Sequence, residues 1–256
     1  MKFIFGNWKM HGSLIANEDY LETLFLKLEN LDKNVICGVA VPYPFLFQFS
    51  SRLLFPNFWL GCQNVSAQSM FGAFTGEVHA SMLKELDCSF GIVGHSERRE
   101  SFVESDELIA QKASRLLENG IQPVICVGES EADRNSGKAK SVIENQVDSL
   151  VREIGSEHIR RCIVAYEPIW AIGGGKIVKI SDIQDVISFI RQKILGFTGD
   201  MLANSTKIIY GGSVSKENIS ELLDGTEIDG VLVGSASLDA KGFVEILSAA
   251  EISLEK

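Results

Sequence analysis

The chain has 256 residues, 45% of them hydrophobic and 23% charged, with a formal net charge of −10 at pH 7. That apolar share supports a sizeable buried core, and the acidic balance argues against a nucleic-acid binder, which needs basic surface to meet phosphates. A small anionic ligand stays open, because a local cluster of lysine and backbone amides overrides net charge. The five cysteines (Cys37, Cys62, Cys88, Cys126 and Cys162) are odd in number and widely spaced, mostly in apolar runs. They read as buried, reduced thiols of a cytoplasmic protein rather than as disulfides or a metal site. The N-terminal run Met1 to Gly6 is too short for the apolar region of a signal peptide. A membrane span needs about 20 consecutive apolar residues, and the uncharged run from Leu53 to Gly76 is broken by Pro56, Asn57, Gln63, Asn64 and Gln68. No membrane association is expected.

Along the chain, short apolar runs alternate with longer amphipathic ones. Strands are predicted at Phe3–Phe5, Val35–Val41, Phe58–Leu60, Phe90–Val93, Val124–Val127, Cys162–Ala165, Lys207–Tyr210 and Gly230–Val233. Apolar on both pleat faces, they look like parallel strands covered by helices. Helices are predicted between them at Glu18–Leu31, Asp106–Glu118, Lys140–Ile154, Ser181–Leu195, Lys216–Leu223 and Gly242–Ile252. In the segment from Asp106, the apolar Leu108, Ile109, Leu116 and Leu117 share one side, away from several charges, and Asn119-Gly120 stops it. Eight strand–helix units with no composition break predict an α/β chain forming one closed (β/α)8 barrel, a TIM barrel, as a single domain over residues 1–256. An open doubly wound sheet is the alternative. In a barrel, chemistry belongs on the loops that follow the strands.

The informative clusters lie there. After the first strand, Asn7 offers an amide and Lys9 a fixed cation, with a plain surface lysine as the competing reading. After the fourth come Gly94-His95-Ser96-Glu97-Arg98-Arg99, where Ser96 is expected to cap a helix and Glu97 to suit its positive end. Amide dipoles there disfavour a charged imidazole, so His95 would serve as a neutral hydrogen-bond donor. No Pro-Cys-x-x-Cys and no His-Glu-x-x-His accompanies it, so no metal is expected. The sixth strand ends at Glu167-Pro168. Proline keeps Glu167 extended, and a carboxylate at the rim of an apolar barrel is costly to leave unpaired, which suits a general base. The following Pro168 to Lys176, an apolar patch before Gly173-Gly174-Gly175, has the composition of a lid. It is not a P-loop, because Trp170 stands where the first glycine belongs. Gly211-Gly212-Ser213 and Gly234-Ser235 follow the last two strands, where barrels bind phosphate through backbone N–H groups. No Gly-x-Ser-x-Gly elbow is present. Together a phosphate grip, a base, a neutral donor, a cation and a lid suit proton abstraction beside a carbonyl without a cofactor.

Six motifs in order across the chain make it resemble the triosephosphate isomerase family: Gly6-Asn7-Trp8-Lys9-Met10, Gly72 to Glu77, Gly94 to Arg99, Tyr166 to Gly173, Tyr210 to Val214 and Gly234 to Leu238. The resemblance implies interconversion of glyceraldehyde 3-phosphate and dihydroxyacetone phosphate in glycolysis and gluconeogenesis, with no cofactor. It implies Glu167 as the base and His95 as the group that polarises the carbonyl. Lys9 and Asn7 would stabilise the enediolate, and Glu97 would support Lys9 and His95. Phosphate would be held by the backbone of Gly173, Ser213, Gly234 and Ser235. It further implies a homodimer in which the loop at Thr75–Glu77 inserts beside Asn7 and Arg98 of the partner subunit. The apolar Met70, Phe71 and Phe74 argue against a mobile, solvent-exposed loop there, since such patches mark contacts.

The sequence departs from the family pattern at several points. Gly174 stands for threonine in the lid, with Ile177-Val178 for small and polar residues, and the added glycine should raise the entropic cost of ordering the lid. Ser235 replaces glycine where the backbone alone is needed. His11 and His79 replace an asparagine and a small residue, and surface positions are expected for both. The competing functions are another barrel enzyme acting on a longer sugar phosphate, and a non-catalytic metabolite binder.

Overall fold

The computed structural model describes residues 1–52, 55–172, 178–198 and 205–254. Gly173, Gly174 and Ile177, invoked above for the lid and the phosphate, lie outside them.

Eight parallel strands close into one barrel in the order β1 to β8: β1 Lys2–Asn7, β2 Val35–Ala40, β3 Phe58–Cys62, β4 Cys88–Val93, β5 Gln122–Val127, β6 Ile163–Tyr166, β7 Lys207–Tyr210 and β8 Gly230–Val233. Every predicted strand is present. Pleat alternation divides their side chains into two cores. Phe3, Phe5, Ile36, Phe90, Ile92, Val124, Cys126, Ile163, Ala165 and Ile209 fill the barrel, with the Phe5 and Phe90 rings stacked at 4.2 Å between centroids. Ile4, Cys37, Ile125, Val164 and Tyr166 face outward under the helices. The ring closes where β8 meets β1, pairing Phe3 with Gly230. There Gly230 has φ 156, and a Cβ on it would lie 1.9 Å from the Phe3 carbonyl oxygen.

The covering helices are α1 Leu14–Leu28, α2 Tyr43–Ser50, α3 Ala80–Glu85, α4 Ser96–Ser101, α5 Asp106–Glu118, α6 Glu131–Asn135, α7 Ala139–Ile154, α8 Ile180–Thr198, α9 Ile219–Gly225 and α10 Ala240–Leu254. Hydroxyl caps fix several starts: Ser13 accepts from the Ala16 N–H, Ser105 from Leu108 and Ser130 from Asp133. The Ser13 cap starts α1 four residues ahead of the predicted Glu18. The helices α2, α3 and α6 have no counterpart among the predicted ones; α3 and α6, of six and five residues, are too short for a periodic signal. No helix of the described residues is long and apolar enough to cross a membrane.

Candidate active site

Alternation along β6 places Ile163 and Ala165 inside the barrel, so the next inward position at its mouth falls to Glu167. Its backbone N–H donates to the Val127 carbonyl at 2.8 Å, and its side chain is 2% exposed. Two groups meet the carboxylate. The Ser96 N–H donates to Oε2 at 3.0 Å, and His95 Nε2 stands 3.2 Å from Oε1. Below it lies Cys126, whose thiol is pushed well up by burial and by the Glu167 carboxylate.

His95 follows β4 through Gly94 (φ 70). Here the structure corrects the expectation for Ser96. Ser96 is the first residue of α4, and the cap is the His95 ring, whose Nδ1 accepts the Glu97 N–H at 3.3 Å. A ring nitrogen that accepts an N–H carries no proton, so the remaining proton sits on Nε2, aimed at Glu167. The capped helix end thus fixes the tautomer that a neutral donor needs.

At the end of β1, the Asn7 Oδ1 accepts the Lys9 N–H at 3.0 Å, and Lys9 takes a left-handed φ of 53. Between them the Trp8 indole N–H donates to the Ser237 carbonyl at 3.1 Å, tying this loop to the one after β8. Lys9 Nζ reaches Glu97 Oε1 at 2.6 Å. Glu97 is itself half exposed, and its other oxygen is 3.6 Å from His95 Nδ1, beyond hydrogen-bond length. Glu97 therefore holds Lys9 through its side chain and His95 through its backbone.

Asn7, Lys9, His95, Glu167, Ser213, Gly234 and Ser235 line one cavity of about 360 Å³. Gly234 and Ser235 open a short 3-10 turn, Ser235–Ser237. That turn is fixed by the Ser237 hydroxyl, which donates to the Gly234 carbonyl at 2.7 Å. Ser213, Gly234 and Ser235 on one side and a buried carboxylate, an imidazole and an ammonium on the other make a cavity of the size and polarity for a small anionic ligand. Of the two unusual histidines, His11 is exposed at the rim. His79 is half buried and caps α3, accepting the Ser81 N–H at 3.2 Å, with its ring 4.7 Å from that of Phe71.

Sequence reasoning passed over Glu129. It is fully buried, and its Oε1 accepts the Trp170 indole N–H at 2.8 Å and the Tyr166 hydroxyl at 3.2 Å. Burial and this carboxylate push the Tyr166 phenol up, so it remains a donor. The Arg134 guanidinium lies 4.4 Å over the Trp170 ring. The described residues Pro168 to Ile172 are therefore anchored, through Trp170, to the loop after β5. Position was the available signal, since Glu129 follows a strand at its C-terminal end. A second cavity of about 360 Å³ adjoins the first, lined by Lys9, Met10, Tyr43, Asn64, Glu97, Arg98 and Phe102 among others. Among the described residues no cluster of His, Cys, Asp and Glu is arranged to hold a metal ion.

The family model described as triosephosphate isomerase matches residues 2–250. Similar proteins carrying that name include those of Nitrosomonas europaea, 44% identical over 97% of this chain and 98% of its own, and of Thiobacillus denitrificans, also 44% identical with the same coverage. The protein of that name from Ralstonia nicotianae is 42% identical over 96% of this chain and 97% of its own. With its barrel closed and these residues gathered at its mouth, the chain belongs to the triosephosphate isomerase family.

Proposed function

We propose that this chain is a triose-phosphate isomerase, interconverting D-glyceraldehyde 3-phosphate and dihydroxyacetone phosphate through an enediolate in glycolysis and gluconeogenesis. The observation that carries it is the joint placement of Glu167, His95 and Lys9 in one small cavity beside two glycine–serine loops. Glu167 removes the proton from the carbon next to the carbonyl. His95 donates from Nε2 to the carbonyl oxygen and passes protons between the two enediolate oxygens. Lys9, with Asn7 beside it, balances the negative charge that develops there. The N–H groups of Ser213, Gly234 and Ser235, joined by Gly173, hold the phosphate. One base, one neutral donor and one cation complete the reaction without a cofactor. In the resting site Glu167 occupies the His95 donor. A carbonyl oxygen arriving at Nε2 takes that place and frees the carboxylate to face the substrate.

The test is a coupled assay of glyceraldehyde 3-phosphate turnover, with Glu167→Gln as control. Turnover in the wild type that disappears in the control supports both the reaction and its base. A folded wild type without turnover overturns the reading.

The working form is a homodimer in the cytoplasm, each subunit using residues 1–256 as one domain. Met70, Phe71 and Phe74 stand exposed beside the Thr75–Glu77 tip, an apolar loop of the kind that marks a contact. The second cavity, rimmed by the exposed Met10 and Phe102, is the socket for the same loop of the partner subunit. Sedimentation that finds a fully active monomer would refute this.

A further inference from the structure

Gln146 sits in the middle of α7 and is 6% exposed. A buried primary amide must find partners for its donor and its acceptor, and this one finds both on a single residue. Its Oε1 accepts the Gly128 N–H at 2.9 Å, and its Nε2 donates to the Gly128 carbonyl at 3.1 Å. Gly128 comes directly after Val127, the last β5 residue in register with β6. Its fixed height matters to two neighbours. One is the backbone of Glu167, which packs so closely that a Cβ on residue 128 would lie 1.8 Å from the Glu167 carbonyl oxygen. The other is Glu129, the next residue, which holds Tyr166 and Trp170 at the stem of the lid.

We infer that Gln146 is a positioning residue for the base: from outside the barrel it clamps Gly128, and through Gly128 it sets where Glu167 and Glu129 stand. The inference rests on the proposed role of Glu167 and extends it to a side chain that touches neither substrate nor base. Other buried contacts of Glu167, to Ser96 and His95, act on its carboxylate. The Gln146 clamp acts through Gly128 on its main chain, just past the bond from the Glu167 N–H to the Val127 carbonyl.

Two variants separate positioning from mere packing. Gln146→Glu keeps the shape and still accepts the Gly128 N–H. When ionised, however, it turns a lone pair toward the Gly128 carbonyl; when protonated it donates there again. The introduced carboxyl would stand on Gly128, which is followed in the chain by Glu129 and packed against the backbone of Glu167; those two carboxylates oppose its ionisation, and Arg134, 3.6 Å from Glu129, favours it. Gln146→Met keeps the volume and removes both bonds. The expected result in folded protein is a kcat lower by roughly 10- to 100-fold in both variants, as befits a base displaced by a fraction of an ångström. KM should change by less than about twofold, the signature of an interaction that matters in the transition state. The ratio of Gln146→Glu to wild-type kcat should also recover as the pH is lowered, and that of Gln146→Met should not. A third readout needs no turnover: displacing Glu129 alters the Trp170 environment, measured as the difference in emission between each protein and its Trp170→Phe counterpart. Wild-type kcat and Trp170 emission in both folded variants would overturn the inference. So would a loss confined to KM, or a Gln146→Glu deficit indifferent to pH. If the wild type itself lacks activity, the functional reading fails and the Trp170 emission alone decides on the clamp.

Discussion

A carboxylate at 2% exposure is expensive to bury, and at Glu167 the cost is offset by two donors, the Ser96 N–H and the His95 ring. Both donors belong to one short segment, so a small shift of either partner breaks the arrangement. Glu167→Asp withdraws the charge by one methylene, and a misplacement of roughly 1 Å costs about 10²-fold. Steady-state kinetics on that variant should show the loss in kcat with an unchanged circular dichroism spectrum; normal turnover would remove Glu167 from the base's role. Asn7, Lys9, His95 and Glu167 could be picked out as candidates because each lies just beyond the C-terminal end of a predicted strand. The cap on α4 could not. Serine and histidine can each present an acceptor to a helix end, and which residue is the last extended one depends on the turn at Gly94. Gln146 was equally hidden, because a glutamine on an amphipathic helix looks polar and solvated until something is seen beneath it.

Among the elements, the connection from α4 to α5 shows a buried charge cluster that holds the site's helix in place. Glu104 is 7% exposed and its Oε1 accepts from Arg98 at 2.6 Å and from Lys112 at 2.5 Å. Lys112 also donates to Asn64 at 2.9 Å, in the segment after β3. Burial lowers the Lys112 ammonium from its ordinary value, while Glu104 pulls it back up. Removing one partner from such a set leaves the others as uncompensated buried charge. Glu104→Leu should therefore cost roughly 3–5 kcal/mol, read from urea unfolding at neutral pH; a cost near zero would show the cluster to be solvated. The helical pattern of Asp106–Glu118 was plain in the sequence, with several charges set apart from its apolar side, but nothing in it marked Lys112, which is buried. α2 went unseen for the opposite reason: Tyr43 to Ser50 is apolar nearly all round, so no polar face marks a period.

For the whole molecule, burial shapes the response to alkali. Burial pushes up the thiols of Cys37, Cys126 and Cys162, the last to about 12, and a hydrogen bond with Cys88 followed by burial does so for Cys62. The phenols of Tyr20, Tyr43, Tyr166 and Tyr210 are raised by burial as well, Tyr210 to about 12. The folded chain keeps these protons while the unfolded chain releases them above the ordinary values of 9.0 for cysteine and 10.0 for tyrosine. The unfolded state then binds fewer protons, so the stability present below those values is lost as the pH rises through them toward the folded ones. Denaturant midpoints should hold until about pH 8 and then fall increasingly steeply from about pH 9 toward about pH 12; a flat profile would contradict the burial of these groups. The barrel itself was legible as eight doubly apolar strands with helices between them. Closure was expected from the eight units, with an open doubly wound sheet as the alternative, and the pairing of the first strand with the last excludes that alternative.

That pairing also sets an order of events. Lys2 and Ile228 bond across the seam although 226 residues separate them, and contacts so distant along the chain form slowly. Asn7 and Lys9 enter the cavity from one side of this seam, Gly234 and Ser235 from the other. During refolding, helical circular dichroism should return first and turnover only once the seam has sealed. Gly230→Ala, with a methyl driven against the Phe3 carbonyl, should widen the lag between the two signals in a stopped-flow experiment. Catalysis in this chain is thus a clock for its own completion: the first substrate turned over reports that the last strand has found the first.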